Sequence, residues 1–360
     1  MELGIIGLPT SGKTTIFNAL TKSDRPTQAA STGKLELVSG AVDVPDARLT
    51  KLSQLVQPET TTPARVVYTD IAGLDKDLAK QGLSGKLRNR IAPLEAFVHV
   101  VRAFEDPRVP HVLGSVDPAR DLENLDSEFL LADMVTVDNR LANITERLSK
   151  GVKGEERKAL EREQAIFRRL EGILTEGAPL RDADLTREER SRLRAYGLLT
   201  LKPVLVLLNT GDELIDPDSL VTYDHRQSKV LALQGELEME LSQLNPDDAI
   251  MFMDEFGISE LALNRVIQAS YSLLNLQSFF TISDKEVRAW TIPIGATALD
   301  AAGTIHTDMA RGFVRAEVVA YEDFVRCGSF EGARREGIAH VEGKDYVVQD
   351  GDIIHVRFSL

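Results

Sequence analysis

The sequence predicts an α/β protein: a mainly parallel sheet with helices on both faces, an antiparallel helical hairpin inserted into it, and a small β-rich region at the C-terminal end. Three observations carry this. Apolar β-rich runs recur at residues 3–6, 64–68, 96–101 and 203–208, with helical patterns and Gly/Asp turns between them. Leu130, Met134, Val137, Leu141, Ile144 and Leu148 are spaced four, three, four, three, four, which is a coiled-coil seam. From about Gln277 the texture changes to short strands and turns.

The first run leads directly into Gly7-Leu8-Pro9-Thr10-Ser11-Gly12-Lys13-Thr14, and a helical pattern from Thr15 follows. Strand, glycine-rich turn, helix is the setting in which G-x-x-x-x-G-K-[ST] cradles phosphate. Glycines let consecutive N–H groups converge on one anion, and the helix adds its positive N-terminal end. Lys13 then reaches the β- and γ-phosphates and the Thr14 hydroxyl holds Mg²⁺. The expected ligand is a nucleoside triphosphate, ATP or GTP, touching Gly7, Leu8, Pro9, Thr10, Ser11, Gly12, Lys13, Thr14 and Thr15.

The second run ends in Asp70-Ile71-Ala72-Gly73. At a strand end after a phosphate loop, D-x-x-G reads as a switch: Asp70 holds the metal and Gly73 contacts the γ-phosphate. Leu74 follows, where Ras-like proteins carry the Gln that orients water. Leucine offers no hydrogen bond, so slow hydrolysis or a catalyst from elsewhere is expected. The third run ends near Phe104-Glu105-Asp106-Pro107-Arg108, and His111 in that polar loop is the candidate to orient or deprotonate water. Its competing reading is a packing histidine. His99, inside the strand, reads as structural. Lys13 and His111 are the candidate catalytic side chains.

The hairpin follows. Lys150-Gly151-Val152-Lys153-Gly154 breaks the seam, and a second helix from about Glu155 carries Leu160, Phe167, Leu170 and Leu174 on one side. Beyond the fourth core run, Asn209-Thr210-Gly211-Asp212 resembles the base-reading N-K-x-D with Thr for Lys. Asn209 can bond either purine, whereas Asp212 suits the donors of guanine, which adenine lacks. Strands are expected at 287–292, 313–319, 345–348 and 352–358, a helix at 298–305, and turns at Gly343-Lys344 and Asp350-Gly351. Trp290 and Phe313 read as core, with base stacking as the alternative.

Composition narrows the class. At 360 residues the chain is long for one core. No apolar run approaches the roughly 18 residues that span a bilayer, and the start lacks a signal-peptide pattern. A single cysteine, Cys327, fits a reducing cytosol. The expected location is cytoplasmic, with no membrane partner. A net charge of −14 disfavours nucleic-acid binding by the whole surface, and no DNA partner is expected. Residues 138–194 carry 14 basic and 12 acidic side chains, a balance of +2, so this segment repels phosphate backbones least.

These residues together resemble the Obg-like ATPases of the YchF type. The phosphate loop, Asp70-Ile71-Ala72-Gly73-Leu74, Val98-His99-Val100-Val101-Arg102-Ala103-Phe104 and the Asn209 turn match. So do Lys285-Glu286-Val287-Arg288-Ala289-Trp290-Thr291-Ile292-Pro293, Ala302-Gly303-Thr304-Ile305-His306-Thr307-Asp308, Arg315-Ala316-Glu317-Val318 and the stretch from Gly343 to Asp352. The resemblance implies a GTPase-like P-loop domain (1–125 and 196–276), a coiled-coil insertion (126–195) and a C-terminal β-grasp TGS domain (277–360). It also implies a cytosolic nucleotide hydrolase that prefers ATP to GTP and associates with ribosomes or RNA. An adaptor with negligible hydrolysis is the alternative. The chain departs from the family pattern in three places. Thr10-Ser11 stands where Asn-Val is usual, which bears on potassium dependence. Gln28-Ala29-Ala30-Ser31-Thr32-Gly33-Lys34 stands where an aromatic-rich first switch with a Thr is usual, and Thr32 is the candidate for its metal-sensing residue. Asp212 stands where Glu is usual.

Overall fold

In the computed structural model the first apolar run forms β1 (Glu2–Ile6), with Leu3, Ile5 and Ile6 buried. Residues 2–26, 36–72, 83, 85–212, 215–256, 258 and 260–359 are described. The further strands are β2 (Glu36–Asp43), β3 (Thr60–Thr62), β4 (Arg65–Ala72), β5 (Ala96–Arg102), β6 (Val204–Asn209) and β7 (Ser228–Leu233), then β8 (Leu276–Ile282), β9 (Glu286–Pro293), β10 (Phe313–Val319), β11 (His340–Glu342) and β12 (Ile353–Phe358). The chain divides into two units, Met1–Gly40 with Val67–Leu263, and Ala41–Val66 with Asn264–Leu360.

The first sheet has the order β2-β4-β1-β5-β6-β7, and β4, β1, β5, β6 and β7 pair in parallel. Every residue of β5 and β6 is buried, as expected of parallel strands covered on both faces. Chain order reverses about β1, with β4 on one side and β5 on the other. In open α/β sheets the crevice at such a reversal, beyond the carboxyl ends of the strands, is where ligands bind. The phosphate loop leaves β1 at that point and enters α1 (Lys13–Thr21).

The later helices of this unit include α3 (Gly85–Ile91), which comes after α2 (Ala47–Val56) of the other unit, and then the hairpin of α4 (Pro118–Ser149) and α5 (Gly154–Thr175). Asp117 caps α4 by accepting from Arg120 N, and Pro118 occupies its first turn. Arg140 pairs with Glu163 at 2.7 Å and Arg147 with Glu156 at 2.6 Å, so the two helices run antiparallel. Val137, Leu141, Phe167, Leu170 and Leu174 are buried between them, and Leu130 and Met134 are half-buried against the same cluster. Each fully buried side chain of this size contributes about 1.5–3 kcal/mol. Asp133 fastens α4 to the segment before β6. Its carboxylate accepts from Leu199 N (2.9 Å), Thr200 N (2.8 Å) and Thr200 Oγ1 (2.7 Å).

The second unit holds a sheet of order β11-β10-β12-β8-β9-β3. β10 runs antiparallel to β11 and β12, β8 antiparallel to β9, and β12 pairs in parallel with β8. A helix at Ala298–Ile305 has the bounds that the pattern predicts. Its small residues Ala298, Ala301 and Ala302 allow close approach to Phe279, Ala316, Val318 and Ile354. Trp290 and Phe313 pack against this core, with Arg288 over the indole at 4.0 Å. The strand expected at 345–348 is absent. Leu299 N donates to Lys344 O and Ala298 N to Tyr346 O, so these carbonyls satisfy the helix start. Only the single bridge Val347–Thr297 remains of a ladder. Among the described residues no helix is long and apolar enough to cross a membrane.

Candidate functional site

The phosphate loop is shaped by two close approaches. A Cβ on Gly7 (φ 148°) would lie 2.2 Å from the Val100 carbonyl oxygen on β5, and one on Gly12 (φ 95°) would lie 2.3 Å from Asn209 Nδ2. Only glycine meets both demands. Thr10 also sits in the left-handed region, at φ 60°, which is unfavourable for a β-branched residue. Its hydroxyl donates to Pro9 O (2.6 Å) and accepts from Arg102 Nη1 (3.2 Å). Arg102 ends β5, is buried, donates through Nε to Phe104 O (3.0 Å) and lies over the Phe104 ring at 4.5 Å.

The Lys13 ammonium turns back on the loop, donating to Gly7 O (3.0 Å) and Leu8 O (2.7 Å). Thr14 Oγ1 donates to Asp70 Oδ2 (3.0 Å) at the end of β4, and Arg25 Nη1 stands 3.3 Å from the same oxygen. A hydroxyl beside a buried carboxylate is suitable hard-oxygen chemistry for Mg²⁺. Among the described residues no group of three or more His, Cys, Asp or Glu could hold a metal. The pair therefore suits an ion that keeps water and phosphate oxygens as its other ligands.

Asn209 is buried at the end of β6, and its amide spans two loops. Nδ2 donates to Ser11 O (3.1 Å), and Oδ1 accepts from Gly235 N (3.1 Å) at the start of a helix, Gly235–Gln243. Asp212 is exposed, and its backbone carbonyl accepts from Gln234 Nε2 (2.6 Å). Leu8, Pro9 and Thr15 are half-buried, and Ser11 is buried with an Oγ that has no hydrogen-bond partner among the described residues. The sequence reading thus points to residues that three strand ends bring together: residues 7–15 after β1, Asp70 in β4 and Asn209 in β6. Thr32, Gly73 and Leu74 lie outside the described residues.

His99 is fully buried in β5. Burial, with the positive charges of Lys13 and Arg181 as smaller causes, pushes its pKa down to about 3. His111 lies in the loop after β5, with its Nε2 2.8 Å from Asp121 Oδ2 in the first turn of α4 and both side chains nearly inaccessible. Asp121 in turn shares a seam with Leu8, Ser11, His99 and Arg102. Sequence reasoning missed Arg25, Arg102 and Asp121 as parts of the site. The one usable signal was an arginine closing a strand that is apolar apart from His99.

Two family models match this chain: a 50S ribosome-binding GTPase model over residues 2–140, and a YchF-GTPase C-terminal model, described as a protein of unknown function, over residues 276–359. The ribosome-binding ATPase YchF of Bacillus subtilis (strain 168) is 40% identical, covering 100% of both chains. That of Pasteurella multocida is 39% identical, covering 100% of this chain and 99% of its own. The solved structure of the Schizosaccharomyces pombe YchF GTPase superposes with a TM-score of 0.85 at 30% identity, covering 99% of this chain and 97% of that one. A phosphate loop, a D-x-x-G strand end and a helical hairpin, matched over full length in sequence and in fold, make this chain a member of the YchF family.

Proposed function

We propose that the chain is a Mg²⁺-dependent nucleoside triphosphatase, taking ATP with GTP as the competing substrate, that works as a slow switch on the ribosome in the cytoplasm. The observation that carries this reading is the Thr14–Asp70 pair, 3.0 Å apart beside the phosphate loop. Bound Mg²⁺ neutralises phosphate charge and fixes its orientation. Thr14 and Asp70 hold the ion, and Arg25 yields its place on Asp70. Lys13 exchanges the Gly7 and Leu8 carbonyls for phosphate oxygens, and the loop amides stabilise the transferred group. Gly73 senses the γ-phosphate. Leu74 leaves water without an orienting partner, and His111 supplies one. Asn209 keeps the loop in shape while Asp212 meets the base.

The bacterial relatives carry ribosome binding in their names. The chemistry here is compatible with an RNA-containing partner at the hairpin, whose segment 138–194 has a balance of +2 in a chain of −14. Calorimetric titration of nucleotide-free protein with ATP and GTP in Mg²⁺, with Lys13→Ala as control, tests the reading. ATP binding that Lys13→Ala abolishes, with the fold intact by circular dichroism, is expected. A GTP preference would assign Asp212 to guanine. Binding of neither nucleotide would overturn the proposal. Co-sedimentation with ribosomes that does not fall as salt rises would overturn the RNA component.

A further inference from the structure

We infer that Asp121 is a positioning residue that holds His111 in an inactive seat, and that breaking this contact frees the imidazole for hydrolysis. The inference rests on the water-orienting role proposed above for His111. In the seat both ring nitrogens face protein. Nδ1 accepts from Leu113 N at 3.1 Å, and Nε2 lies 2.8 Å from Asp121 Oδ2, with 3% and 4% of the two side chains exposed. A ring so enclosed has no nitrogen to offer a water molecule.

Asp121 itself is pinned. Its Oδ1 accepts from Arg120 Nε (3.0 Å) and Nη2 (2.8 Å), while the same guanidinium donates to Ser115 O (2.7 Å) and Ser115 Oγ (3.1 Å). Arg120 therefore fixes both the carboxylate and the far end of the His111 loop. When the histidine leaves, the carboxylate stays.

Two features make the seat easy to leave. The Nε2–Oδ2 contact is close but poorly aligned, and neither atom has a hydrogen bond of good geometry. A contact of that kind loses little when broken, because much of a hydrogen bond's strength depends on direction. The loop is also turned inside out. Its polar His111 is buried while Val109, Val112 and Leu113 are 37%, 41% and 42% exposed. A second arrangement that covers those apolar groups and presents the imidazole is favoured by the hydrophobic term.

The seat borders the nucleotide site. Asp121 shares its seam with Leu8 and Ser11 of the phosphate loop, and Ser11 Oγ, without a hydrogen-bond partner among the described residues, is buried there. Movement of the loop on binding triphosphate thus acts directly on the wall that carries Asp121.

The test uses the full chain and follows modification of His111 by diethylpyrocarbonate, read by peptide mass spectrometry. In the unaltered protein, a non-hydrolysable ATP analogue with Mg²⁺ is expected to raise the His111 rate. Unchanged protection overturns the latch without any variant. Asp121→Asn and Asp121→Ala are expected to raise both His111 modification and single-turnover ATP hydrolysis by roughly two- to fivefold, the low end of what one contact contributes to an equilibrium. Because triphosphate favours the open seat, the ATP Kd in these variants falls and does not rise, and the gain in hydrolysis disappears in an Asp121→Asn/His111→Ala double variant. A fall in hydrolysis with Asp121→Asn, in a protein of unchanged Tm, would instead make Asp121 an orienting partner. Unchanged hydrolysis in His111→Ala alone removes His111 from the mechanism. A loss in His111→Ala without a gain at Asp121 removes only the latch.

Discussion

Arg102 Nη1 and Thr10 Oγ1 meet at 3.2 Å, joining a buried cation at the end of β5 to the one non-glycine of the phosphate loop with a left-handed backbone. Left-handed backbone costs a β-branched residue roughly 1–2 kcal/mol. The bond from Arg102 offsets part of that, since hydrogen bonds to charged groups contribute about 1.5–3 kcal/mol. Arg102→Met keeps most of the packing and loses the donor. Its expected effect is a rise in ATP Kd of about tenfold or more, measured by calorimetry. Thr10→Gly removes both the strain and the hydroxyl, so its Tm is expected to equal or exceed the parent's. A Tm well below the parent's would mean that the hydroxyl matters more than the strain.

Asn209→Ala strips the partner from Ser11 O and Gly235 N together. Two buried backbone groups left without hydrogen bonds cost roughly 2–4 kcal/mol. A drop in Tm of the order of 5–10 °C is expected by circular dichroism. Nucleotide binding should weaken with it, because Gly12 packs against the same amide.

His99 gives a pH signature. Its folded pKa, about 3, lies below the ordinary 6.5, so between these values the unfolded chain binds the extra proton. Its contribution to stability is therefore complete above pH 6.5 and is lost as pH falls toward 3. In that window the slope from one such group approaches about 1.4 kcal/mol per pH unit. Urea unfolding at several pH values should show a shallower slope for His99→Gln, whatever that variant does to stability at pH 7. Parallel slopes would show that His99 does not titrate in this way.

Asp133→Ala leaves Leu199 N, Thr200 N and Thr200 Oγ1 without their acceptor. A loss of about 3 kcal/mol or more follows from orphaning several buried donors. Hydrogen exchange should accelerate at the amides of Leu199 and Thr200 before it does in β5 and β6. Equal acceleration across the sheet would indicate global rather than local loosening.

The legible parts of this molecule were those with a local period or a fixed chemical pattern. β1, β5 and β6 show as continuous apolar runs, because parallel strands bury both faces. The hairpin shows because its seam repeats, and Leu160, Phe167, Leu170 and Leu174 are all buried as the spacing requires. Residues 7–14 declared the phosphate loop. What stayed hidden depended on distant partners. β3 reads Thr60-Thr61-Thr62, too short and too polar to signal a strand until β9 pairs with it. Residues 345–348 alternate like a strand, yet the Tyr346 carbonyl, with that of Lys344 just before the segment, serves a helix start. Arg102 and Asp121 are ordinary charged residues in sequence, and only their burial beside the loop gives them weight.

The parallel pairing of Thr60–Thr62 with Glu286, Val287 and Arg288 has a consequence for biosynthesis. Thr62 and its hydrogen-bond partner Glu286 are 224 residues apart. At about 5–20 residues per second, β3 emerges roughly ten to forty-five seconds before the strand it joins. Until then its backbone is an unpaired edge, and α2 lacks the surface it packs on. The three threonines make that waiting edge polar, which is a poor template for aggregation. The same pairing means that a chain cut after Leu263 leaves β3 without the strand it joins and α2 without the surface it packs on. Removal of the C-terminal segment therefore damages two stretches of sequence at once, and loss of function in such a truncation would not localise that function to its end.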